Sequence, residues 1–351
     1  MITYITVDST ITGVGKYAYD IYNLLKPESE IIQLIYNRKF MDKYYTPVMG
    51  TRYAALNYLF SGIVFRDIIK DVDSNNNIVH ITSQTMKPIF NAENMVITIH
   101  DVIAMQNDIA PESLMEKIKK RYLKRYLHEY VKYENIITIS EYVKTLILEN
   151  FNIKSSNINV ISPYVSDHFY HMDDKQKLRQ KLGLPDNKIL VLSVSSNQPR
   201  KNLSMVKRVM ENLGNEYKLV RIGPELGDSI TFNSISQNTV NDIYNACDVL
   251  YFPTLMEGFG YPVVEAFKTG LPVVSSDIDV IREISSDAAL LVNPNDLKEN
   301  ISAIKYALDN KENFIGKGRI VAEKYSPCFI RHRLVNYYNS ILKGSVRDKT
   351  N

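Results

Sequence analysis

The stretch from Tyr251 to Asp277, YFPTLMEGFGYPVVEAFKTGLPVVSSD, admits few folds. An apolar run, Asp248-Val-Leu-Tyr-Phe, stops at Pro253 and passes into a glycine-spaced loop, Glu257-Gly258-Phe259-Gly260. Pro262 then suits the first turn of a short apolar helix, where its missing N–H removes no hydrogen bond. Gly270 followed by Pro272 suits the helix end, and Val273 to Ser276 reads as the next strand. The pattern predicts a strand, loop, helix and strand, which is the repeating unit of a parallel α/β sheet.

Backbone N–H groups at a helix start, reached through glycines, make a place for phosphate. Glu257 lies on the loop and Glu265 eight positions later on the helix. Carboxylates repel phosphate, so this pair reads as acceptors for the hydroxyls of a ribose or a sugar ring. Spacing alone leaves a second reading open, a glycine-rich turn carrying two solvated glutamates.

The segment resembles the E-x7-E signature of retaining GT-B glycosyltransferases of family 4, E-G-F-G-x-P-x-x-E-A followed by G-x-P-V-V-x-S-D. Here it stands as Glu257-Gly-Phe-Gly-Tyr-Pro-Val-Val-Glu265-Ala266, then Gly270-Leu-Pro-Val-Val-Ser-Ser-Asp277. The resemblance implies that Glu257 contacts donor-sugar hydroxyls near the phosphate and that Glu265 holds the nucleotide ribose. Gly258, Phe259, Gly260 and Tyr261 would then line the donor site.

At 351 residues the chain exceeds the usual size of a single core, so two domains are expected. Composition is that of a globular protein, with 45% hydrophobic and 23% charged residues, and a net charge of +3 gives no reason to expect nucleic acid as a partner. Cys247 and Cys328 have no metal-like spacing and read as reduced, buried structural thiols. The N-terminus, MITYITVDST, lacks the basic and apolar regions of a signal peptide, and no apolar run approaches the length of a membrane span. The expectation is a cytoplasmic protein.

Ile2 to Asp8 reads as a first strand and Lys16 to Leu25 as a helix through Tyr17, Ile21, Leu24 and Leu25. Between them Gly13, Gly15 and Ala18 formally fit G-x-G-x-x-A, which raises a nicotinamide-dependent oxidoreductase as an alternative. In that fingerprint the first glycine follows the strand directly and an acidic residue closes the second strand; here the second strand, Glu30 to Tyr36, ends in Tyr36-Asn37. Gly13-Val-Gly15-Lys16-Tyr17 resembles instead the G-V-G-R-Y loop of the glycosyltransferase family, which lies close to the donor diphosphate.

Two further strands, Ile78 to Thr82 and Met95 to Ile99, end at polar turns. The second delivers His100-Asp101, placing an imidazole at the carboxyl end of a strand, where open α/β sheets bind ligands. Thr-Ile-His100-Asp101-Val resembles the family's V-x-x-H-D segment, whose histidine contacts the donor sugar. His80, within an apolar strand, reads as a hydrogen-bonded core residue. A helix from Glu112 to Lys132 carries six basic residues between Lys117 and Arg125, interleaved with Leu114, Ile118, Tyr122, Tyr126 and Tyr130. Such a face is either solvated or rests on an anionic membrane. Ser140-Glu141, after the strand Ile136 to Ile139, resembles the family's T-V-S-E turn on the acceptor side.

Pro163 to Phe169 resembles the family's interdomain passage, with Pro-Tyr-Val-Ser where Asn-Gly-Val-Asp is common. Lys188 to Ser195 is an apolar strand followed by Asn197-Gln-Pro-Arg200-Lys201-Asn202. A strand that hands an arginine and a lysine to a helix start can clamp a diphosphate. The wording resembles the family's E-P-R-K-N, which implies phosphate contacts for Lys201 and Arg200 and places Asn197 beside the donor. Ser195 stands where some family members have another phosphate arginine. Tyr217 to Gly223 is a strand whose closing Gly223 resembles the turn beneath the nucleotide base. Asn241 to Cys247 resembles the short L-Y-x-x-A-D helix, residues 283 to 294 the closing strand, and Ile330 to Leu342 a final amphipathic helix.

The resemblance therefore implies a GT-B fold, two Rossmann-like α/β domains facing each other across a deep cleft. Its divisions are residues 1–165 on the acceptor side, 166–325 on the donor side and 326–351 as a helix returning to the first domain. It implies a retaining hexosyltransferase taking a UDP- or GDP-sugar, with a glycan, lipid-linked or protein-linked acceptor. His100, Glu257, Lys201 and Arg200 would be catalytic, and Asp101, Ser140 and Glu141 would face the acceptor. No cofactor and no metal are expected, because the two cations and the helix start can neutralise the leaving group. A non-catalytic partner subunit of the same fold is the other alternative.

Overall fold

A computed structural model of the chain describes residues 2–6, 13–26, 28–33, 77–85, 94–102, 105 and 114–348. They form two compact units, one from residues 1–163 with 330–351 and the other from residues 164–329.

The first unit is built on a parallel sheet. Its described strands are β1 (Ile2–Thr6), β2 (Ser29–Gln33), β3 (Ile78–Ile81), β4 (Met95–Ile99), β5 (Ile136–Thr138) and β6 (Ile158–Val160), in the order β2-β1-β3-β4-β5-β6. The register is fixed by pairs such as Tyr4 with His80 and Ile97 with Ile136. Strands β3 (IVHI) and β4 (MVITI) are buried throughout and β1 (ITYIT) beyond its first residue, as expected of parallel strands covered on both faces, and all three are rich in apolar and β-branched residues. Helices α1 (Gly13–Leu24), α2 (Leu114–Tyr130) and α3 (Glu141–Asn150) belong to this unit. Helix α1 begins at Gly13, three residues before the start expected from periodicity. A first turn tolerates glycine because its N–H groups have no intrahelical partner to lose. The basic helix expected from 112 to 132 is described over Leu114–Tyr130, and residues 34–36 of the expected second strand lie outside the described residues.

The second unit holds β7 (Ile189–Val194), β8 (Tyr217–Ile222), β9 (Ser229–Phe232), β10 (Val249–Phe252), β11 (Val273–Ser276) and β12 (Leu290–Val292), all parallel, in the order β12-β11-β10-β7-β8-β9. Counted within the unit, this is 6-5-4-1-2-3, the doubly wound order in which the winding reverses between the first and fourth strands. The reversal falls between β7 and β10. Its helices are α4 (Lys175–Leu182), α5 (Leu203–Leu213), α6 (Gln237–Ala246), α7 (Tyr261–Thr269), α8 (Asp279–Ser285), α9 (Leu297–Asp309) and α10 (Lys311–Glu323).

Val191, Val206, Val209, Leu219, Val249, Tyr251, Val274 and Ile304 form one face of its core. At about 1.5–3 kcal/mol for each large aliphatic side chain removed from water, this is the main source of its stability. At the amino ends of the strands, Asp248 accepts from Leu190 N at 2.7 Å and pairs with Arg179 at 2.6 Å, tying α4 to β7 and β10. The final helix, α11 (Pro327–Asp348), begins in the second unit and continues in the first, where Arg333 donates to Val160 O at 2.7 Å. Cys328 in its first turn is exposed, so of the two thiols expected to be buried only Cys247 is.

Candidate functional site

Two loops leave the carboxyl ends of β7 and β10, on either side of the reversal, and carry most of the residues singled out from sequence. A 3₁₀ turn, Pro199–Lys201, follows β7, and Asn202 closes it in the left-handed region at φ 53°. Leu255 N donates to Arg200 O at 2.7 Å, stitching this turn to the loop after β10. Arg200 Nη1 donates to Met256 O and to Glu257 Oε2, both at 2.9 Å, and Arg200 Nε donates to Gln198 Oε1 at 2.8 Å. Lys201 Nζ is ion-paired with Glu257 Oε1, to which Thr254 Oγ1 also stands at 3.0 Å. Lys201, Arg200 and Glu257 are thus one cluster.

The cluster is largely dry, with Lys201 and Glu257 side chains 12% and 9% exposed. Burial pulls the Lys201 pKa below its ordinary value, the Glu257 carboxylate pushes it back up, and Arg200 lowers it further. Lys201 Nζ also lies 5.3 Å from the centre of the Phe252 ring, a cation–π contact. Arg200 Nη2 has no partner among the described residues, so half of the guanidinium fork is open to a ligand oxygen.

Helix α7 opens after Gly260, whose φ of 109° favours glycine. A Cβ there would stand 2.9 Å from Ile284 and 3.0 Å from Ile281, so packing also demands the missing side chain. Glu265 is buried in the second turn of α7, where Tyr244 OH on α6 donates to its Oε2 at 2.8 Å. Phe259 is buried, with its ring against Tyr261 at 5.2 Å and Tyr325 at 5.4 Å, so it supports the loop from inside. Gly258 is half-buried between Glu257 and this ring, and Asn197 is exposed on the turn after β7. Gly223 is explained by its backbone: a Cβ would lie 2.1 Å from Ser195 O.

In the first unit His100 follows β4 directly and is 5% exposed. Its N–H donates to Gln84 Oε1 at 3.0 Å, and Gln84 Nε2 donates to Asp101 O at 3.0 Å. Its Nε2 lies 2.7 Å from Thr82 O. A carbonyl only accepts, so Nε2 carries the proton and Nδ1 the lone pair. Burial brings the His100 pKa down to about 4, so the ring is neutral at pH 7. The Tyr17 ring packs edge-on against it at 4.8 Å. Nδ1 has no partner among the described residues, which leaves His100 an acceptor at that atom.

Gly13 opens α1 exposed and Gly15 is buried in its first turn, while residues 7–8 of the expected first strand and 9–12 of the loop after it lie outside the described residues. Ser140 caps α3, accepting from Val143 N at 3.2 Å, and Glu141 is exposed in the first turn, where a carboxylate suits the helix dipole.

His80 is the expected core residue. Its Nδ1 lies 2.7 Å from Tyr338 OH and its Nε2 2.7 Å from Thr98 Oγ1, and burial lowers its pKa to about 3. Tyr338 OH donates in turn to Tyr4 at 3.3 Å. Tyr17 and Tyr244 stand inside motifs that gave them no role, and no motif marks Thr254 or Gln84; only the three-dimensional pairing shows what the four hold.

Two parallel six-stranded sheets define an α/β protein of GT-B architecture. Residues 174–319 match the family described as Glycosyl transferases group 1. In solved structures, the chain superposes on sucrose-phosphate synthase of Thermosynechococcus elongatus with a TM-score of 0.80 at 16% identity, covering 98% of this chain and 99% of that one. It also superposes on Anabaena Alr3699/HepE, solved with UDP and glucose, with a TM-score of 0.74 at 14% identity, covering 97% and 99% of the two chains. Among sequences, it is 29% identical over 228 residues to the O-antigen chain mannosyltransferase RfbU of Salmonella typhimurium, 60% of each chain. It is 25% identical over 260 residues to the O-antigen chain mannosyltransferase B of Escherichia coli, 67% of each. The matched stretch thus spans about three-fifths of the Salmonella relative's length. Among the described residues no helix is long and apolar enough to cross a membrane, and no three His, Cys, Asp or Glu side chains form a metal-binding group.

Proposed function

We propose that this chain is a retaining hexosyltransferase that moves a sugar, mannose before glucose, from a GDP- or UDP-linked donor to a hydroxyl of a growing glycan or lipid-linked sugar. The observation that carries the reading is the Arg200–Lys201–Glu257 cluster at the winding reversal of the second sheet, where two cations share one carboxylate and Arg200 keeps an unused donor edge. The preference for mannose is supported by the names of the sequence relatives.

In this reading the donor diphosphate lies against Arg200 Nη2, Lys201 and the N–H groups at the start of α7. Glu265, fixed by Tyr244, accepts from the ribose. Glu257 and the neutral Nδ1 of His100 accept from sugar hydroxyls. The C1–O bond to phosphate breaks, and the electron pair leaves with the diphosphate. The acceptor oxygen bonds C1 from the same face, and its proton passes to the departing phosphate oxygen. Arg200 and Lys201 stabilise the charge that grows on the leaving group, the task a metal ion performs elsewhere, so transfer proceeds without one. Asp101, Ser140 and Glu141 are proposed to border the acceptor, and the protein is proposed to work at the cytoplasmic face of a membrane through the basic side of α2.

The test is a donor panel of GDP-mannose, UDP-glucose, UDP-galactose and UDP-N-acetylglucosamine, assayed for nucleoside diphosphate release and for thermal stabilisation by each donor. A ligand that binds only the folded state raises its stability by mass action, about 2.7 kcal/mol at 100 times Kd. GDP-mannose is expected to give the largest response. No stabilisation by any donor, with no release, rejects the reading. Product formed with EDTA present and the anomeric configuration read by NMR check the metal and stereochemical parts separately.

A further inference from the structure

Among the described residues Arg221 is the largest fully buried side chain, and none of them gives it an acidic partner. It is the penultimate residue of β8, in register with Ser193 on β7. Its guanidinium makes four hydrogen bonds, every one to a neutral oxygen. Nε donates to Pro224 O at 3.1 Å, and Nη1 donates to Ser193 Oγ at 3.0 Å and Ser195 Oγ at 3.3 Å. Nη2 donates to Ser195 O at 3.1 Å. A buried cation is costly unless paired, and Arg221, bonded only to neutral oxygens, keeps a charge that an arriving anion would compensate.

Its position says where the anion would come from. Ser195 is the first residue after β7, half-exposed, at the carboxyl end of the strand beside the winding reversal, and six positions before Lys201. The contact is built closely. Gly223 has φ 135°, and a Cβ there would stand 2.1 Å from Ser195 O and 3.3 Å from Arg221 Nη2, so only glycine lets the two turns meet. The bonds also orient the serine. Its Oγ accepts from Arg221, and no described residue accepts its proton, so the O–H is left to donate outward.

We propose that Arg221 and Ser195 form a second anion-binding arm of the donor site, Ser195 donating its hydroxyl to a phosphate oxygen while the guanidinium behind it polarises that hydroxyl and supplies the charge. This rests on the reading of the second unit as a nucleoside-diphosphate-sugar site. Ser195 touches the ligand and Arg221 acts through it as a positioning residue. A donor hydrogen bond polarised by a neighbouring cation is stronger than a neutral one, and in a dry site the cation's field reaches the phosphate across one residue.

The experiment measures, by calorimetry on the full chain, Kd for GDP and guanosine and for UDP and uridine, at low and high salt. The quantity of interest is the diphosphate's advantage, nucleoside Kd divided by nucleoside diphosphate Kd. A purely structural role would weaken both ligands alike and leave this ratio alone. Ser195→Ala is expected to lower it about tenfold, Arg221→Met at least tenfold, and Arg221→Lys by less, because the charge stays and the fork is lost. The double variant is expected to lose no more than Arg221→Met, since both changes remove one arm. If Arg221→Met does not fold, Ser195→Ala decides: an unchanged ratio overturns the proposal. A wild-type protein that binds neither diphosphate overturns the donor-site reading and this arm with it, whereas a wild-type advantage retained in every variant overturns the arm alone.

Discussion

Acidification should loosen the first unit through its two buried imidazoles. His80 and His100 have an ordinary pKa of 6.5, lowered in the folded protein to about 3 and about 4, chiefly by burial. For a base with a depressed folded pKa, the unfolded chain takes up the proton first. The contribution to stability is complete above pH 6.5 and is lost as pH falls towards the folded value. Between pH 7 and pH 5 each histidine should remove about 2 kcal/mol, about 4 kcal/mol together, because the unfolded ring protonates in that range and the folded ring scarcely does. The exposed carboxylates add little here, since their ordinary values lie below pH 5. Two units in one chain make a single melting point ambiguous, so the measurement is hydrogen exchange of the β3 and β4 amides, converted to opening free energies at pH 7 and pH 5. His80→Gln is compared with wild type. The substitution lowers stability at both pH values, but the loss on acidification should fall to about half. Equal acid-induced losses in the two proteins, or an imidazole NMR titration of His80 near pH 6.5, would refute the reasoning.

Lys201→Ala removes a cation that acts on the leaving group, so turnover should fall at least ~100-fold with the circular dichroism spectrum unchanged; near-normal product formation would take Lys201 out of the mechanism. Tyr244→Phe removes the hydroxyl tether from α6 to Glu265, and nucleoside diphosphate affinity should weaken about 5- to 10-fold with kcat altered less than KM, measured by steady-state kinetics. Gly260→Ala forces φ 109° on a residue with a Cβ and pushes it into Ile281 and Ile284, so the second unit's unfolding free energy from urea titration should fall by about 1–3 kcal/mol. Glu257→Gln leaves Arg200 and Lys201 unneutralised; the second unit should lose about 3 kcal/mol in urea unfolding, and turnover should fall although GDP or UDP binds no more weakly.

The sequence carried the second unit in more detail than the first. Its central strands β7, ILVLSV, and β10, VLYF, are short and mostly apolar, Pro253, Gly270 and Pro272 punctuate the segments around α7, and parallel strands buried on both faces read plainly in one dimension. The elements that periodicity did not single out are less marked. Strand β9, SITF, is a half-buried edge strand of four residues, and α4, KQKLRQKL, is almost wholly polar. Asp174 and Gly183 cap α4, but caps alone do not reveal a helix without an apolar stripe. Glu257, Lys201 and Arg200 were legible because they stand inside motifs, yet their mutual ion pairs were not, since they are 56 and 57 positions apart. Arg221 was invisible for the opposite reason: in KLVRIG it reads as an ordinary charge at the end of a strand, and only the register with Ser193 shows it facing inward.

The cluster's own accounting of charges and lone pairs bears on how one carboxylate can hold two cations and still meet a sugar. Arg200 and Lys201 contribute two positive charges and Glu257 one negative, so the ligand-free site keeps one net positive charge for an incoming diphosphate. Without Glu257, burial and the Arg200 charge would both depress Lys201 with nothing from that carboxylate to oppose them. A carboxylate offers about four lone-pair sites, and here Arg200 uses one on Oε2 while Lys201 and Thr254 stand at Oε1. About one site therefore stays available to a sugar hydroxyl without releasing either cation. On the proposed function, donor binding then needs no rearrangement of the cluster: the groups that stabilise the leaving phosphate are already held in place, and their orientation is established during folding rather than in the transition state.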